Sequence, residues 1–391
     1  MWPPLLMLDP PSAESALEYR FNRMDHAHSK AIEAGTDNHA SSGGQGQLSL
    51  SSDALMFPWE SCLTGTEVQN SNGKIGPWGE YEQHISGDIA LAARQYFYAS
   101  GDKDWLSSRG FPLVKGIADF YAKRAVVSNV SGRYDSEFGG WRGRDRSGEI
   151  VPEKSSHASI LAHAAPRLPC SLPPPTPLVN LVMGPDEYAW PVNNSAYTNA
   201  VAAIALDFAT EAAGVLWQQA DPLWSTVASG LKNLLVNETV PNRPDLQGGY
   251  HPEYAGFPKD PSNPKVKQAD TVMLSFPLGV DMDPKVLSND LDFYDDVTDP
   301  NGPAMTWAIF AIGWINVGNF TRSQPHFTRQ LDNIKGPFRV WQETPNGGTT
   351  NFITGAGGFI QSVLFGTSGM RIKQDGLYFT PPPPNASGWV G

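Results

Sequence analysis

The sequence predicts an all-α fold, arranged as a toroid of helical hairpins. Apolar residues recur with the 3.6-residue period of a helix along most of the 391-residue chain. Stretches with the strict alternation of a strand are few. Loops rich in glycine and proline separate one helical pattern from the next. The length is enough for one large domain or two ordinary ones.

The clearest helix follows Asn194. Its apolar residues lie at i, i+3, i+4, i+7 and i+11, which places them on one helical face. The preceding Asn193, Asn194 and Ser195 offer side chains that can cap the first turn. Similar patterns cover residues 13–34, 86–99, 112–126, 222–236, 303–317 and 357–366.

Two stretches have no period of either kind. Residues 36–54 are rich in serine and glycine, and residues 142–178 carry RGRDRSGE followed by RLPCSLPPPTP. Proline blocks helix interiors and central strands, so the second stretch is predicted to be irregular. Such a long structureless loop is unusual inside a compact domain. It is either a lid or retained intronic sequence, and the second interpretation is favoured.

The composition is that of an acidic globular protein. Hydrophobic residues make up 40% of the chain and the formal net charge is -12. This charge repels phosphate backbones, so nucleic acid is not an expected partner. No apolar run is long enough to span a bilayer, so no membrane partner is expected. Two cysteines, Cys62 and Cys170, cannot form a disulfide framework, and no zinc-binding spacing occurs.

The localisation stays open between secreted or vacuolar and cytoplasmic. The opening MWPPLLML lacks the basic region of a signal peptide. Weak support for secretion comes from the N-x-S/T sequons at Asn129, Asn193, Asn237, Asn319 and Asn385.

The first candidate for chemistry is Glu187, within MGPDEYAWPVNNSAYTN. Pro185 stiffens this turn. Asp186 and Glu187 are adjacent and cannot point the same way, so one is expected to face a substrate and the other to brace the loop. Tyr188 and Trp190 add aromatic surface, and desolvation by such surface favours a protonated acid. The alternative is an acidic surface turn.

The second candidate is Glu343, within FRVWQETPNGGTTNFITGAGGFIQ. The glycines that follow it permit sharp turns and close backbone approach. The alternative is a solvated glutamate in a flexible loop. Two such carboxyl groups, one an acid and one a base, are what glycoside hydrolysis usually requires.

Other polar groups lie in aromatic or glycine-rich settings. Each can bind a sugar hydroxyl, and each alone is more often a buried structural group. They are Trp59, Glu60, Glu82, His84, Lys267 and Gln268. No nucleophile elbow, P-loop or dinucleotide fingerprint occurs, which argues against serine hydrolases, nucleotide hydrolases and dinucleotide enzymes.

Six motifs together resemble glycoside hydrolase family 65: FPWES, EQHISGDIA, MGPDEYAWPVNNSAYTN, VKQADTVML, GPAMTWAIFAIGW and NFITGAGGFIQSVLFG. Within it the chain is most similar to the acid trehalase-like and protein-glucosylgalactosylhydroxylysine glucosidase-like members. The resemblance implies an (α/α)6 barrel. It also implies hydrolysis of small α-glucosides with inversion, without metal or organic cofactor. The substrate expected from it is trehalose or a glucosyl-α-1,2-linked disaccharide unit of the kojibiose type.

The resemblance also implies roles for individual residues. Glu187 matches the general acid and Glu343 matches the base that activates water. Lys267 and Gln268 match the pair that holds the non-reducing glucose, and Trp59 and Glu60 match a segment that lines the pocket. Phosphorylase members carry a phosphate-binding His/Ser arrangement near Glu343. This chain has no histidine there, which favours a hydrolase.

The chain also departs from the family pattern. Members have a β-sandwich domain before the barrel and a smaller β domain after it. We expect a catalytic barrel over residues 1–370, incomplete at its N-terminus, and a remnant of the C-terminal β domain over residues 371–391. The opening MWPPLLML resembles residues that directly follow a sugar-gripping aspartate. The alternative function is therefore an impaired fragment or mispredicted gene product that at most binds sugar. The oligomeric state is not predicted.

Overall fold

The computed structural model describes residues 2–36, 53–71, 74–75, 77–127, 177–240, 243–258 and 266–380. Nearly all of the two stretches without a period, 36–54 and 142–178, lies outside the described residues, as do Cys170, Asn129 and Asn385.

Helices dominate the described chain. They are α1 (Trp2–Leu8), α2 (Pro10–Phe21), α3 (Met24–Thr36), α4 (Pro77–Tyr81), α5 (His84–Ser100), α6 (Lys103–Trp105), α7 (Phe111–Arg124), α8 (Ala196–Val215), α9 (Pro222–Lys232), α10 (Pro284–Val297), α11 (Thr306–Asn316), α12 (Phe320–Arg329) and α13 (Ile353–Gln361). Short 3-10 helices span Pro244–Leu246 and Thr271–Leu274, and π-helical turns span Leu106–Gly110 and Ser362–Thr367.

Strands are short and form small antiparallel sheets. They are β1 (Asn70–Ser71), β2 (Lys74–Ile75), β3 (Val126–Val127), β4 (Pro177–Leu178), β5 (Ile334–Lys335), β6 (Val340–Thr344), β7 (Gly347–Thr350), β8 (Arg371–Lys373) and β9 (Gly376–Tyr378). β1 pairs with β2, β3 with β4, β5 with β6, β6 with β7, and β8 with β9. The β8–β9 hairpin confirms the start of a β region that the sequence predicts from residue 371 onward.

Several helix starts follow directly from the sequence. α2, α9 and α10 each begin at an Asp-Pro pair, in which the aspartate caps the helix and proline occupies the first helical position. In α9 the Asp221 carboxylate accepts the N–H of Leu223 at 2.8 Å. At α8, the predicted cap forms between the Ser195 hydroxyl and the N–H of Thr198 at 3.3 Å.

Six segments follow one another around a closed ring: α1, α5, α8, Thr271–Leu274, α11 and α13. Each contacts the next, and α13 contacts α1. Outside this ring, α2 packs on α1, α7 and α9 on α8, and α10 and α12 on α11. This double layer is the expected (α/α)6 barrel.

The ring helices α5, α8 and α11 are buried along most of their length. In α11 each residue from Thr306 to Ile315 is buried. Fully burying one such side chain, Phe310 for example, contributes about 1.5–3 kcal/mol. α5 and α8 approach closely at Gly87, where a Cβ atom would lie 2.7 Å from the Cγ1 atom of Val201. These helices therefore pack closely against one another around the interior of the ring.

Three features differ from the sequence prediction. The helix predicted over residues 13–34 is two helices, separated at Asn22 and Arg23. The helix predicted over 357–366 begins at Ile353 and continues after Gln361 as a π-helical turn. Glu343 lies on β6 of a hairpin, not in a loop. Among the described helices, none is long and apolar enough to cross a membrane.

Candidate active site

Most candidate residues precede or begin a segment of the inner ring. Glu82 and His84 stand at the start of α5. Glu187 lies in the loop that leads to α8, Lys267 and Gln268 come just before Thr271–Leu274, and Glu343 lies before α13. Segments that are adjacent in the ring thus bring together loops that are far apart along the chain.

Glu187 is held through one of its two carboxylate oxygens. Its Oε2 atom accepts a hydrogen bond from Nε1 of Trp78 at 2.7 Å and lies 3.0 Å from Nζ of Lys267. The side chain keeps 18% of its surface exposed, against 23% for Lys267. Two donors on one oxygen fix the plane of the carboxyl group and leave Oε1 for a ligand.

Asp186 braces the same loop from inside the protein. It is fully buried, and its Oδ1 atom accepts the backbone N–H of Lys267 at 2.6 Å and that of Tyr188 at 3.1 Å. Its own N–H donates to Oδ2 of Asp270 at 2.9 Å. The adjacent acids therefore point in different directions, as the sequence predicted.

Gly184 is required where this loop passes Asp270. A Cβ atom at Gly184 would lie 2.4 Å from Oδ2 of Asp270, closer than any side chain allows. On the other side of the loop, the Gln268 amide donates to the carbonyl of Pro185 at 2.7 Å. Gln268 thus holds the loop of Glu187 and lines the adjacent cavity.

His84 is a buried cation between two acids. Its Nδ1 atom lies 2.9 Å from Oδ2 of Asp88, and its Nε2 atom lies 3.5 Å from Oε2 of Glu82. Burial disfavours the charged imidazole, but the bonds to Asp88 and Glu82 outweigh it and raise the pKa of His84 to about 10. Tyr197 packs edge-on against the ring and donates to Asp88 at 2.7 Å.

Trp59 connects the residues around Glu187 with those around His84. Its ring centroid lies 6.3 Å from that of Trp78, and its side chain hydrogen-bonds the carboxyl of Glu82. Burial raises the pKa of Glu82. The structure therefore brings together Trp59, Glu82, His84, Lys267, Gln268 and Glu187.

Glu60 stands apart from these residues. Its side chain is exposed and its Oε2 atom accepts a hydrogen bond from the Gln69 amide at 3.1 Å. Among the described residues, no contact joins it to the other candidates.

Glu343 is held by its backbone and by the hairpin turn. Its carbonyl accepts the N–H of Ala304 at 2.9 Å and the amide of Asn333 at 2.8 Å. Its Oε2 atom accepts the N–H of Thr349 at 3.0 Å. Gly348 makes this possible, because it has a φ of 82° and no side chain. No side-chain contact of the described residues joins Glu343 to Glu187.

A cavity of about 320 Å³ opens inside the ring, next to His84 and Gln268, whereas Glu187 and Glu343 are not among the residues that line it. His84, Asp88 and Gln268 line its polar side, and Leu91, Met273 and Ile309 are among the residues that line its apolar side. In the part of the chain that the structure describes, no group of three or more His, Cys, Asp or Glu side chains could hold a metal ion.

Sequence reasoning missed several residues. It named Tyr188 and Trp190 as the aromatic surface near Glu187. In the structure the Tyr188 hydroxyl bonds to Asp299 at 2.8 Å, and Trp190 stacks on Tyr81. The aromatic contact with Glu187 comes from Trp78, which lies just before Glu82 in the chain. Also missed were Asp270 and Glu253, whose carboxyl groups are buried behind Asp186.

The sequence is similar to those of known proteins. Residues 1–137 match the profile of the glycosyl hydrolase family 65 central catalytic domain. The chain is 34% identical to the protein-glucosylgalactosylhydroxylysine glucosidase of Dictyostelium discoideum, over 99% of this chain and 45% of that protein. It is 32% identical to the kojibiose hydrolase of Mucilaginibacter mallensis, over 96% of this chain and 45% of that protein.

The fold has a counterpart of known structure. A protein from the human microbiome, described as a kojibiose phosphorylase, superposes with a TM-score of 0.61 at 16% identity, over 96% of this chain and 49% of that chain. This chain spans about half the length of the relatives it matches. With its motifs, its barrel and these similarities, the chain belongs to glycoside hydrolase family 65.

Proposed function

We propose that this chain carries the catalytic barrel of an inverting α-glucoside hydrolase, with Glu187 as general acid and Glu343 as general base. The observation that carries the proposal is the carboxyl group of Glu187, bound through Oε2 by Trp78 and Lys267, in a loop whose Pro185 lines the cavity. A general acid must be oriented toward the leaving oxygen, and this arrangement supplies the orientation.

The reaction requires two proton transfers. Glu187 gives its proton to the glycosidic oxygen as the bond from that oxygen to the glucose C1 atom breaks. Glu343 takes a proton from water, whose oxygen attacks C1 from the opposite face. The products are glucose of inverted anomeric configuration and the free alcohol of the leaving group. Glu187 ends as a carboxylate and Glu343 as an acid, and exchange with solvent restores both.

Glu187 and Glu343 are held by different residues, which fits this chemistry. A water molecule must fit between the sugar and the base, so carboxyl groups of inverting enzymes lie roughly 6.5–9.5 Å apart. The lack of a direct contact between Glu187 and Glu343 in the described residues agrees with such a gap. We expect a sugar complex to show a separation within this range.

The substrate class follows from the relatives and the lining of the site. The named relatives are a glucosidase of glucosylgalactosylhydroxylysine and a hydrolase of kojibiose. We propose a glucosyl-α-1,2-linked disaccharide unit of this kind, or trehalose. Trp59, Glu82, His84, Lys267 and Gln268 are proposed to bind its glucose. Glu60 is also a predicted ligand. Its side chain is exposed and would have to move in order to contact the sugar.

Glucose release from kojibiose, trehalose and glucosyl-α-1,2-galactose by the 391-residue chain tests the proposal. Glu187→Gln and Glu343→Gln should each abolish release, because an amide neither donates the required proton nor accepts one from water. Glu18→Gln is the control, since Glu18 lies on the outer helix α2 and forms an ion pair with Arg109. NMR of the first product should show β-glucose.

Other results would redirect the assignment. Binding of these sugars without release would indicate a chain that binds sugar but does not cleave it. Release of glucose 1-phosphate only with added phosphate would indicate a phosphorylase. Full activity in Glu187→Gln would remove its role as the acid.

A further inference from the structure

Three carboxyl groups lie buried behind the loop that carries Glu187. Asp186, Glu253 and Asp270 have exposed fractions of 0%, 3% and 1%. A charge in such a place is costly unless it is paired. Among the described residues, no lysine or arginine side chain forms an ion pair with any of the three.

A hydrogen bond between the side chains of Asp186 and Glu253 requires a donor, which two ionised carboxylates lack. Their side chains lie within hydrogen-bonding reach of each other. An ionised carboxylate only accepts hydrogen bonds. No conventional donor of the described residues reaches Oδ2 of Asp186 or Oε2 of Glu253, although both atoms are buried. One proton held between the two carboxyl groups supplies the missing donor.

We propose that Glu253 is a positioning residue, which shares one proton with Asp186 and thereby fixes the loop on which Glu187 stands. The catalytic consequence rests on the function proposed above, whereas the shared proton does not.

The surrounding contacts explain how the shared proton affects the position of Glu187. Glu253 is anchored, because its carbonyl accepts the N–H of Ala196 at the start of α8 at 2.8 Å. Asp186 in turn holds the N–H of Lys267, whose Nζ atom contacts Glu187. If both carboxyl groups were ionised, their repulsion would push Asp186 away from Glu253. The bond to Lys267 and the orientation of Glu187 would loosen together.

The titration behaviour agrees with this geometry. Burial raises the pKa of Asp186 to about 6 and that of Asp270 to about 7, and it raises the pKa of Glu253 well above its ordinary value. The cluster therefore retains a proton near neutral pH. The charged groups that face it are Glu82, His84, Glu187 and Lys267, and the tyrosine hydroxyls that face it are those of Tyr188, Tyr197, Tyr250, Tyr254 and Tyr294.

Thermal unfolding of the full chain at several pH values tests the shared proton without any need for activity. Acids whose folded pKa is raised stabilise the fold at low pH, and this stability is lost as pH rises through the folded pKa. The wild-type melting temperature should therefore fall between about pH 5 and pH 8. Glu253→Gln keeps a donor but does not titrate, so its melting temperature should fall less steeply with pH than that of the wild type. Glu18→Gln should keep the wild-type slope.

The catalytic part is tested on kojibiose with the same variants and with Glu253→Met, which has similar length but no donor. Glu253→Gln should retain activity and extend it to higher pH. Glu253→Met should lose about tenfold in kcat or more, the effect of one lost hydrogen bond of about 1.4 kcal/mol.

The outcomes separate the two proposals. A wild-type melting slope in Glu253→Gln would overturn the shared proton, whatever the activity. A flattened slope in a chain that releases no glucose would support the shared proton and count against the proposed function. Equal activity of Glu253→Met and wild type at all pH values would remove the positioning role.

Discussion

Nε1 of Trp78 donates a 2.7 Å hydrogen bond to Oε2 of Glu187, although 109 residues separate them along the chain. Trp78 belongs to α4, just before the ring helix α5, and Glu187 lies in the loop before the next ring helix, α8. The bond therefore joins two neighbouring sectors of the barrel at the proposed acid.

Trp78→Phe should reduce kcat/KM on kojibiose by roughly 10- to 150-fold. Phenylalanine keeps the apolar contact but loses the donor that stabilises the carboxylate formed as Glu187 gives up its proton, and a hydrogen bond to a charged group contributes about 1.5–3 kcal/mol. Steady-state kinetics would measure the change. Trp217→Phe is the control, because Trp217 is 96% exposed at the end of α8. Equal loss in the two variants would show that the bond to Glu187 is not the cause.

Gly348→Ala should impair the proposed base and cost about 1–2 kcal/mol of stability. Alanine is strained at a φ of 82°, and its Cβ atom would lie 2.6 Å from Oε2 of Glu343 and displace that side chain. Gly347→Ala is the matched control, since nothing lies within 4 Å of a Cβ atom there. Initial rates and melting temperatures of both would be compared. An active Gly348→Ala variant would argue against Glu343 as the base.

Gly184→Ala should lower both stability and activity. The added Cβ atom collides with Oδ2 of Asp270, which accepts the N–H of Asp186, and such overpacking costs about 1–3 kcal/mol. Gly214→Ala, in α8 with open space around it, should instead stabilise the chain by up to about 1 kcal/mol. Urea unfolding would measure both. Unchanged stability in Gly184→Ala would show that the loop can shift away from Asp270.

His84→Gln should change how stability depends on pH. A pKa raised to about 10 in the folded state means that the stabilisation by His84 is present below about pH 6.5 and is lost as pH rises toward 10. Between these limits the melting temperature should therefore fall less steeply with pH for His84→Gln than for wild type. His26→Gln, on the exposed face of α3, should match wild type. Equal slopes of melting temperature against pH for wild type, His84→Gln and His26→Gln would contradict a charged His84.

The barrel was predictable where a segment is long enough to show its period. The apolar face of α8 and its cap at Ser195 were both read from the sequence. Thr271–Leu274 is also part of the inner ring, but four residues are too few to show a helical period. The hairpin of β6 and β7 could not be read from the sequence, because Pro345, Gly347 and Gly348 indicate a loop and the strands show no clear alternation.

The site was predictable only in part. The adjacency of Asp186 and Glu187 was enough to predict that one braces the loop. Nothing in the local sequence marks Trp78 or Glu253 as a neighbour of that loop, because their contacts arise from the packing of distant segments. Glu253 in particular lies in HPEYAG, which resembles an ordinary turn. Motifs thus indicated the proposed reacting groups, whereas their supports required the tertiary structure.

The proposed acid and base are linked through a short series of bonds. Asp186 holds the N–H of Lys267, Val266 accepts the N–H of Asp299 at 2.8 Å, and the N–H of Ala304 meets the carbonyl of Glu343 at 2.9 Å. Only the first of these bonds uses a side chain. Peptide groups are common to all residues, so most side chains between Asp299 and Ala304 can change without breaking the last two bonds. Gly302 is the exception, because a Cβ atom there would lie 2.3 Å from the carbonyl oxygen of Lys267.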